Sequence, residues 1–179
     1  MAKEIKFTEK PPGGDRVYHI SPDDVRVVLG RLPDAVYSRL KRVHFNDRSR
    51  GGRVFGYTNG RRREIALCSL PPRMSLRTAL VKGQRPEQFG ALNGSQWPTL
   101  AIRRFLLYDV LLHEIGHLQV IDETVKDEYR KFAREAKAQE FGMYWCERLW
   151  ARPFEHPDPV HNPPTKEELK SLYAPLVKV

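Results

Sequence analysis

Residues 102 to 121 constrain this chain more than any other stretch. Ile102, Phe105, Leu106, Leu107, Val110, Leu111, Leu112, Ile115, Leu118, Val120 and Ile121 fall on nearly every side of a helical cylinder. That pattern predicts a central helix buried all round. Yet the same stretch carries His113-Glu114-Ile115-Gly116-His117. Two histidines four apart lie one above the other on a helix face, while Glu114 projects about 100° round the axis. Polar groups inside such a helix are costly unless they are paired or bound to something, so the fold must supply them with partners.

The helix must sit in a single folding unit. A chain of 179 residues suits one domain with an ordinary core. Residues 1–16 are polar, broken by Pro11-Pro12-Gly13-Gly14, and read as a flexible leader; 17–152 read as the domain, and 153–179 as a proline-rich extension with a short helix. Cys68 and Cys146 stand far apart, and neither belongs to a Cys-x-x-Cys pair, which fits a reducing compartment. Met1 to Lys10 has no apolar core, and Asp109, His113, Glu114 and His117 interrupt the longest apolar run. The expectation is a soluble, cytoplasmic protein with no membrane partner.

Local signals place the other elements. Ser21-Pro22-Asp23-Asp24 supplies an N-cap, a proline at the first helical position and two acids for a helix to about Gly30. A second helix is expected from Pro33-Asp34 to about Lys41, a short strand at Val43-His44-Phe45, and a brief helix over 75–81. Residues 54–58 and 64–68 flank Asn59-Gly60, which predicts a β-hairpin. His44 is expected to be a satisfied core or cross-strand residue. Pro98 is placed to open the central helix, and the long loop before it, 83–98, to rim a site. Thr124-x-x-Asp127 caps a further helix to about Trp150. Along that helix Glu135, Ala138, Gly142, Trp145, Cys146 and Leu149 share one stripe, whose small members let it approach a neighbour closely.

Two histidines so spaced can grip one divalent ion, and a catalytic zinc takes a third protein ligand. If the two long helices pair antiparallel, Glu128 lies level with His117 and Glu135 slightly beyond His113, and geometry leaves both open. Asp109, one turn before His113, and Gln139 are candidate acceptors to orient the imidazoles. His156, His161, Tyr144 and Tyr129 are candidate oxyanion donors.

The combination of His113-Glu114-Ile115-Gly116-His117 with Glu135-Ala136-Lys137-Ala138-Gln139-Glu140-Phe141-Gly142, 18 residues later, resembles the two-part signature of zincin metallopeptidases whose third ligand is glutamate. It is similar to the ImmA/IrrE-type and HtpX-type peptidases. The transmembrane helices of the latter are missing. Where several such families carry an aspartate four residues after the ligand glutamate, this chain has Gln139. The resemblance implies an α+β, minimal zincin-like domain, with a small antiparallel sheet or hairpin packed against the central helix and a second long helix. It implies zinc on His113, His117 and Glu135, with Glu114 as the base that activates water against a peptide bond. The partner would be a peptide or protein substrate laid along a sheet edge.

Charge brings in a second class of function. Thirty-one Lys and Arg against 22 Asp and Glu give +9, and Arg48, Arg50, Arg53, Arg61, Arg62 and Arg63 gather around the hairpin. Such a surface permits attraction to nucleic acid or acidic partners, or simply blunts a strand edge. The alternatives to a peptidase are therefore a basic nucleic-acid-associated protein or regulator, and a non-catalytic zinc-binding module.

Overall fold

The computed structural model describes residues 4–47, 54–92, 96–119 and 128–174, of which 128–130 by the backbone alone. A four-stranded sheet lies on one side and helices on the other, an α+β arrangement. The strands are β1 (Lys6–Glu9), β2 (Arg42–Asn46), β3 (Gly56–Asn59) and β4 (Glu64–Cys68), in the order β1-β2-β4-β3. Val43, Phe45, Ile65 and Leu67 face the core; β2 alternates buried and half-buried residues as a strand with one buried face does, whereas β4 is buried on both faces from Ile65 to Cys68.

The sheet corrects two expectations. It is mixed rather than antiparallel: β1 pairs with β2 and β2 with β4 in parallel, and only the β3–β4 hairpin is antiparallel. The polar leader also contributes a strand, since β1 falls inside residues 1–16. Four residues with one half-buried side chain facing inward carry almost no periodic signal. The pairing becomes possible only because the next helix crosses back over the sheet.

That helix, α1 (Pro22–Arg31), begins as its sequence dictates. Ser21 Oγ accepts from Asp24 N at 3.2 Å and Asp24 Oδ2 accepts from Ser21 N at 2.8 Å, a reciprocal cap. The helix expected from Pro33 to Lys41 is only a 3-10 turn, Asp34–Tyr37, because the chain must already extend into β2. The one expected over 75–81 shrinks likewise to Arg77–Ala79. At the hairpin, residues 60–63 form the turn, and Arg63 rather than Gly60 takes the left-handed φ of 59°. Asn59 Oδ1 accepts from Arg62 N at 3.1 Å and tightens it. His44 is a cross-strand residue, with Nε2 3.2 Å from Glu64 Oε2.

The central rod runs without a break from Thr99 to Gln119: α2 (Thr99–Phe105), one wide π turn (Leu106–Val110) and α3 (Leu111–Gln119). All five π-turn residues are buried. The second long helix, α4 (Glu128–Trp150), packs antiparallel against α3. The proposed cap at Thr124 and Asp127 lies outside the described residues. The two helices touch backbone to backbone: a Cβ on Gly116 would stand 3.0 Å from Ala138 Cα and O, and one on Gly142 3.1 Å from His113 N. The small-residue stripe read from α4 therefore does what its composition suggested.

The proline-rich tail docks on this body. Buried Arg104 sends Nε to Asn162 O at 2.9 Å, one terminal nitrogen to Pro159 O at 3.2 Å, and a fork to the carboxylate of Glu168 in α5 (Lys166–Tyr173). Val160 joins the same apolar core. No helix among the described residues is long and apolar enough to cross a membrane.

Candidate metal centre

The α3–α4 contact sets the site. One turn of α3 presents His113 and His117, whose Nε2 atoms lie 3.0 Å apart. From α4, Glu135 brings Oε2 to 3.3 Å from His113 Nε2 and Oε1 to 3.3 Å from His117 Nε2. These are the only three His, Cys, Asp or Glu side chains among the described residues grouped closely enough to hold one ion. Glu128 begins α4, but its side chain lies outside the described residues, as does that of Tyr129.

The group fits a divalent cation on its own chemistry. Donors about 2.0–2.2 Å from a tetrahedral ion stand roughly 3.3–3.5 Å from one another, close to the separations here. Three lone-pair donors converge on one point, and a cation is the natural common partner. Imidazole and carboxylate ligands suit zinc, though also other divalent ions.

Charge is arranged accordingly. Hydrogen bonding to His113 and His117 holds the Glu135 carboxyl well below the usual carboxylate range. Burial pulls the His113 imidazole down, but Glu135, Glu114 and Asp109 outweigh it and leave its pKa above the ordinary value.

Glu114 lies beside this group, 7% exposed, and burial raises its pKa against the opposing pull of Thr58 and the two histidines. Thr58 on β3 donates to it, with Oγ1 2.7 Å from Glu114 Oε2. Gly56, two residues earlier, makes room: a Cβ there would meet Ala66 O and Val110 Cγ1 at 3.0 Å and Glu114 Cγ at 3.3 Å. Thr58 and Gly56 escaped the sequence reading. An isolated glycine inside a strand is the one signal that marks a close approach of this kind.

His113, His117 and Glu114 open into a cleft of about 420 Å³, walled by Gly56, Tyr57, Thr58 and Gly60 on one side and by Lys131, Arg134 and Glu135 on the other. β3 is an edge strand among the described residues, so the cleft runs along it.

The expected helpers are placed differently. Asp109 is buried, which raises its pKa, and its Oδ1 accepts from Gln84 Nε2 at 2.5 Å and from Gln139 Nε2 at 3.0 Å. Gln139 thus donates to Asp109 instead of accepting from a histidine, and the buried Nδ1 of His113 meets no partner among the described residues. His156 and His161 belong to a separate cluster, their rings 4.5 Å apart, with Phe154 and Tyr108 around them. Tyr144 is exposed and its hydroxyl is engaged by Arg148. None of these three lines the cleft. Arg61, Arg62 and Arg63 are exposed at the hairpin turn, whereas Arg48, Arg50 and Arg53 lie outside the described residues.

Comparison with protein-family models, with curated proteins and with solved structures finds no match for this chain.

Proposed function

We propose that this protein is a zinc-dependent metallopeptidase of the kind its His-Glu-x-x-His and Glu135 segments resemble, with a minimal zincin-like domain. The observation that carries the reading is the meeting of His113, His117 and Glu135 at one point, with the buried carboxyl of Glu114 alongside, in a cleft bounded by an edge strand.

His113, His117 and Glu135 would hold the ion. When bound, zinc makes water more acidic and polarises a carbonyl oxygen. Glu114 accepts the proton of the attacking water and returns it to the departing amine, a role suited to a carboxyl whose pKa burial has raised. Thr58 fixes the carboxylate in place for that transfer. An extended peptide lies along β3, pairing its main chain with the free edge.

Zinc content and hydrolysis of an unstructured protein substrate test the reading together. Glu114→Gln is expected to keep its zinc and lose about 10²–10⁴ of the rate. Full hydrolysis after complete metal chelation, or no turnover by the zinc-loaded chain on any peptide, would overturn it.

A further inference from the structure

Besides its ligands, the cleft contains a cation with nothing to hold. The carboxylates lining it are Glu114 and Glu135, both committed to the metal centre, while Lys131 and Arg134 present positive charge one turn apart on α4. Arg134 is half-buried. Its Nε is sealed from solvent without an acceptor, and its guanidinium has no ion pair among the described residues. Arg42 also has an unmet buried Nε, but its guanidinium, like those of the other covered arginines, is held by an acceptor. Arg31 closes on the carbonyls of Leu149 and His161, Arg42 on Glu64, Arg103 on Asp24 and Asp158, and Arg104 on Glu168.

A guanidinium fork is shaped for a planar anion, and since the sealed Nε is closed to an incoming ligand, the terminal nitrogens of Arg134 are the donors left for one. Arg134 directly precedes Glu135 on the helix and lines the same cleft, so an anion bound to it would lie beside the metal centre. The exposed Arg61, Arg62 and Arg63 follow Gly60, which lines the opposite wall.

We propose that Arg134 is a specificity residue that receives a substrate carboxylate, so that the cleft selects peptides with an acidic side chain or a free C-terminus near the bond presented to the metal. This inference rests on the peptidase reading above.

Binding without turnover separates the two ideas. Zinc-loaded Glu114→Gln protein is titrated with three fluorescent peptides of one sequence: a glutamate peptide with an amidated end, its glutamine counterpart, and that counterpart with a free C-terminal carboxylate. At least one acid should bind about tenfold more tightly than the neutral peptide, and which one does so identifies the source of the carboxylate. Adding Arg134→Gln should bring the three affinities together, whereas Arg134→Lys should keep part of the preference. The unfolding temperatures of these variants confirm that each is folded.

Equal affinity for acid and neutral peptides, or a preference that survives Arg134→Gln, overturns the proposal, as does an oligonucleotide that outcompetes every acid peptide. Acid-selective binding by a wild-type chain that cleaves nothing would leave Arg134's role standing and remove the hydrolase. Cleavage indifferent to peptide charge would do the reverse.

Discussion

Thr58 Oγ1 stands 2.7 Å from Glu114 Oε2 and 3.0 Å from the carbonyl oxygen of the same residue. A single hydroxyl on an edge strand therefore touches both the backbone and the carboxylate of the proposed base. Thr58→Val keeps the shape and removes the donor. A hydrogen bond to a charged group contributes about 1.5–3 kcal/mol, so kcat should fall roughly ten- to a hundredfold with KM and zinc content little changed. Thr58→Ser should recover most of the rate. A valine variant as fast as wild type would show that the contact has no role in turnover.

Metal uptake should depend on α3 and α4 together. His113→Ala, His117→Ala and Glu135→Ala are each expected to lose zinc, and Glu128→Ala to retain it. With the proposed ion bound only by the folded site, zinc at a hundred times its Kd should stabilise the protein by about 2.7 kcal/mol, and a chelator should remove that gain. Metal analysis alongside thermal unfolding decides the matter. Zinc lost from the Glu128 variant but kept by the Glu135 variant would reassign the third ligand.

Helix contact predicts a distinct effect of bulk. Gly116→Val places methyl groups where Ala138 backbone atoms already stand 3.0 Å from a Cβ. Overpacking of this kind costs about 1–3 kcal/mol. By parting the helices it should also weaken zinc binding, measured by competition with a chromogenic chelator. Gly30, in α1 with nothing within 4 Å of a Cβ, is the control: Gly30→Ala should stabilise slightly, by about 0.5–1 kcal/mol, and leave zinc affinity alone.

The metal-free protein should lose stability in acid through His161. This side chain is fully buried, and desolvation, with nearby His156 and Arg31 adding to it against the pull of Asp24 and Asp158, depresses its pKa to about 4. Below the unfolded value of about 6.5 the open chain binds a proton that the folded one resists. The contribution is thus complete above about pH 6.5 and drains away as the pH falls toward 4, by roughly 3 kcal/mol in all. Unfolding midpoints of wild type and His161→Gln across that range, both with chelator, should diverge in slope. Parallel curves would assign the acid sensitivity elsewhere.

Arg104 should control the tail. Removing one member of a buried ion pair costs about 3–5 kcal/mol, because the other is left unpaired. Since Glu168 is less buried than Arg104, Glu168→Gln should cost less than Arg104→Leu. In both variants protease should cut first around residues 153–165, as mass spectrometry of early fragments would show.

Features carried by neighbouring residues are legible in the sequence. The Ser21 cap, the hairpin, the short last helix, and the alanine and glycine that bring α4 against α3 all arise from short-range chemistry. The ligand group was legible only as alternatives by geometry, Glu128 or Glu135, until the resemblance pointed to Glu135. Features set by distant partners were not. β1 acquires its place from β2, the parallel order depends on a crossover, and Thr58 matters because of a residue 56 positions away. Asp109 and Gln139 were each picked out singly, but their bond to each other, and the loop residue Gln84 that joins them, follow only from packing.

The contact of Gly116 with Ala138 and of Gly142 with His113 has a bearing on which ion can be held. Walls that already touch at the main chain cannot contract, but they can separate. A cation needing longer bonds can push α3 and α4 apart, while one needing shorter bonds must draw the side chains inward by rotation alone. For an ion held there, the lower limit on size would thus be imposed by two missing methyl groups, and the upper limit by how far the pair of helices can yield.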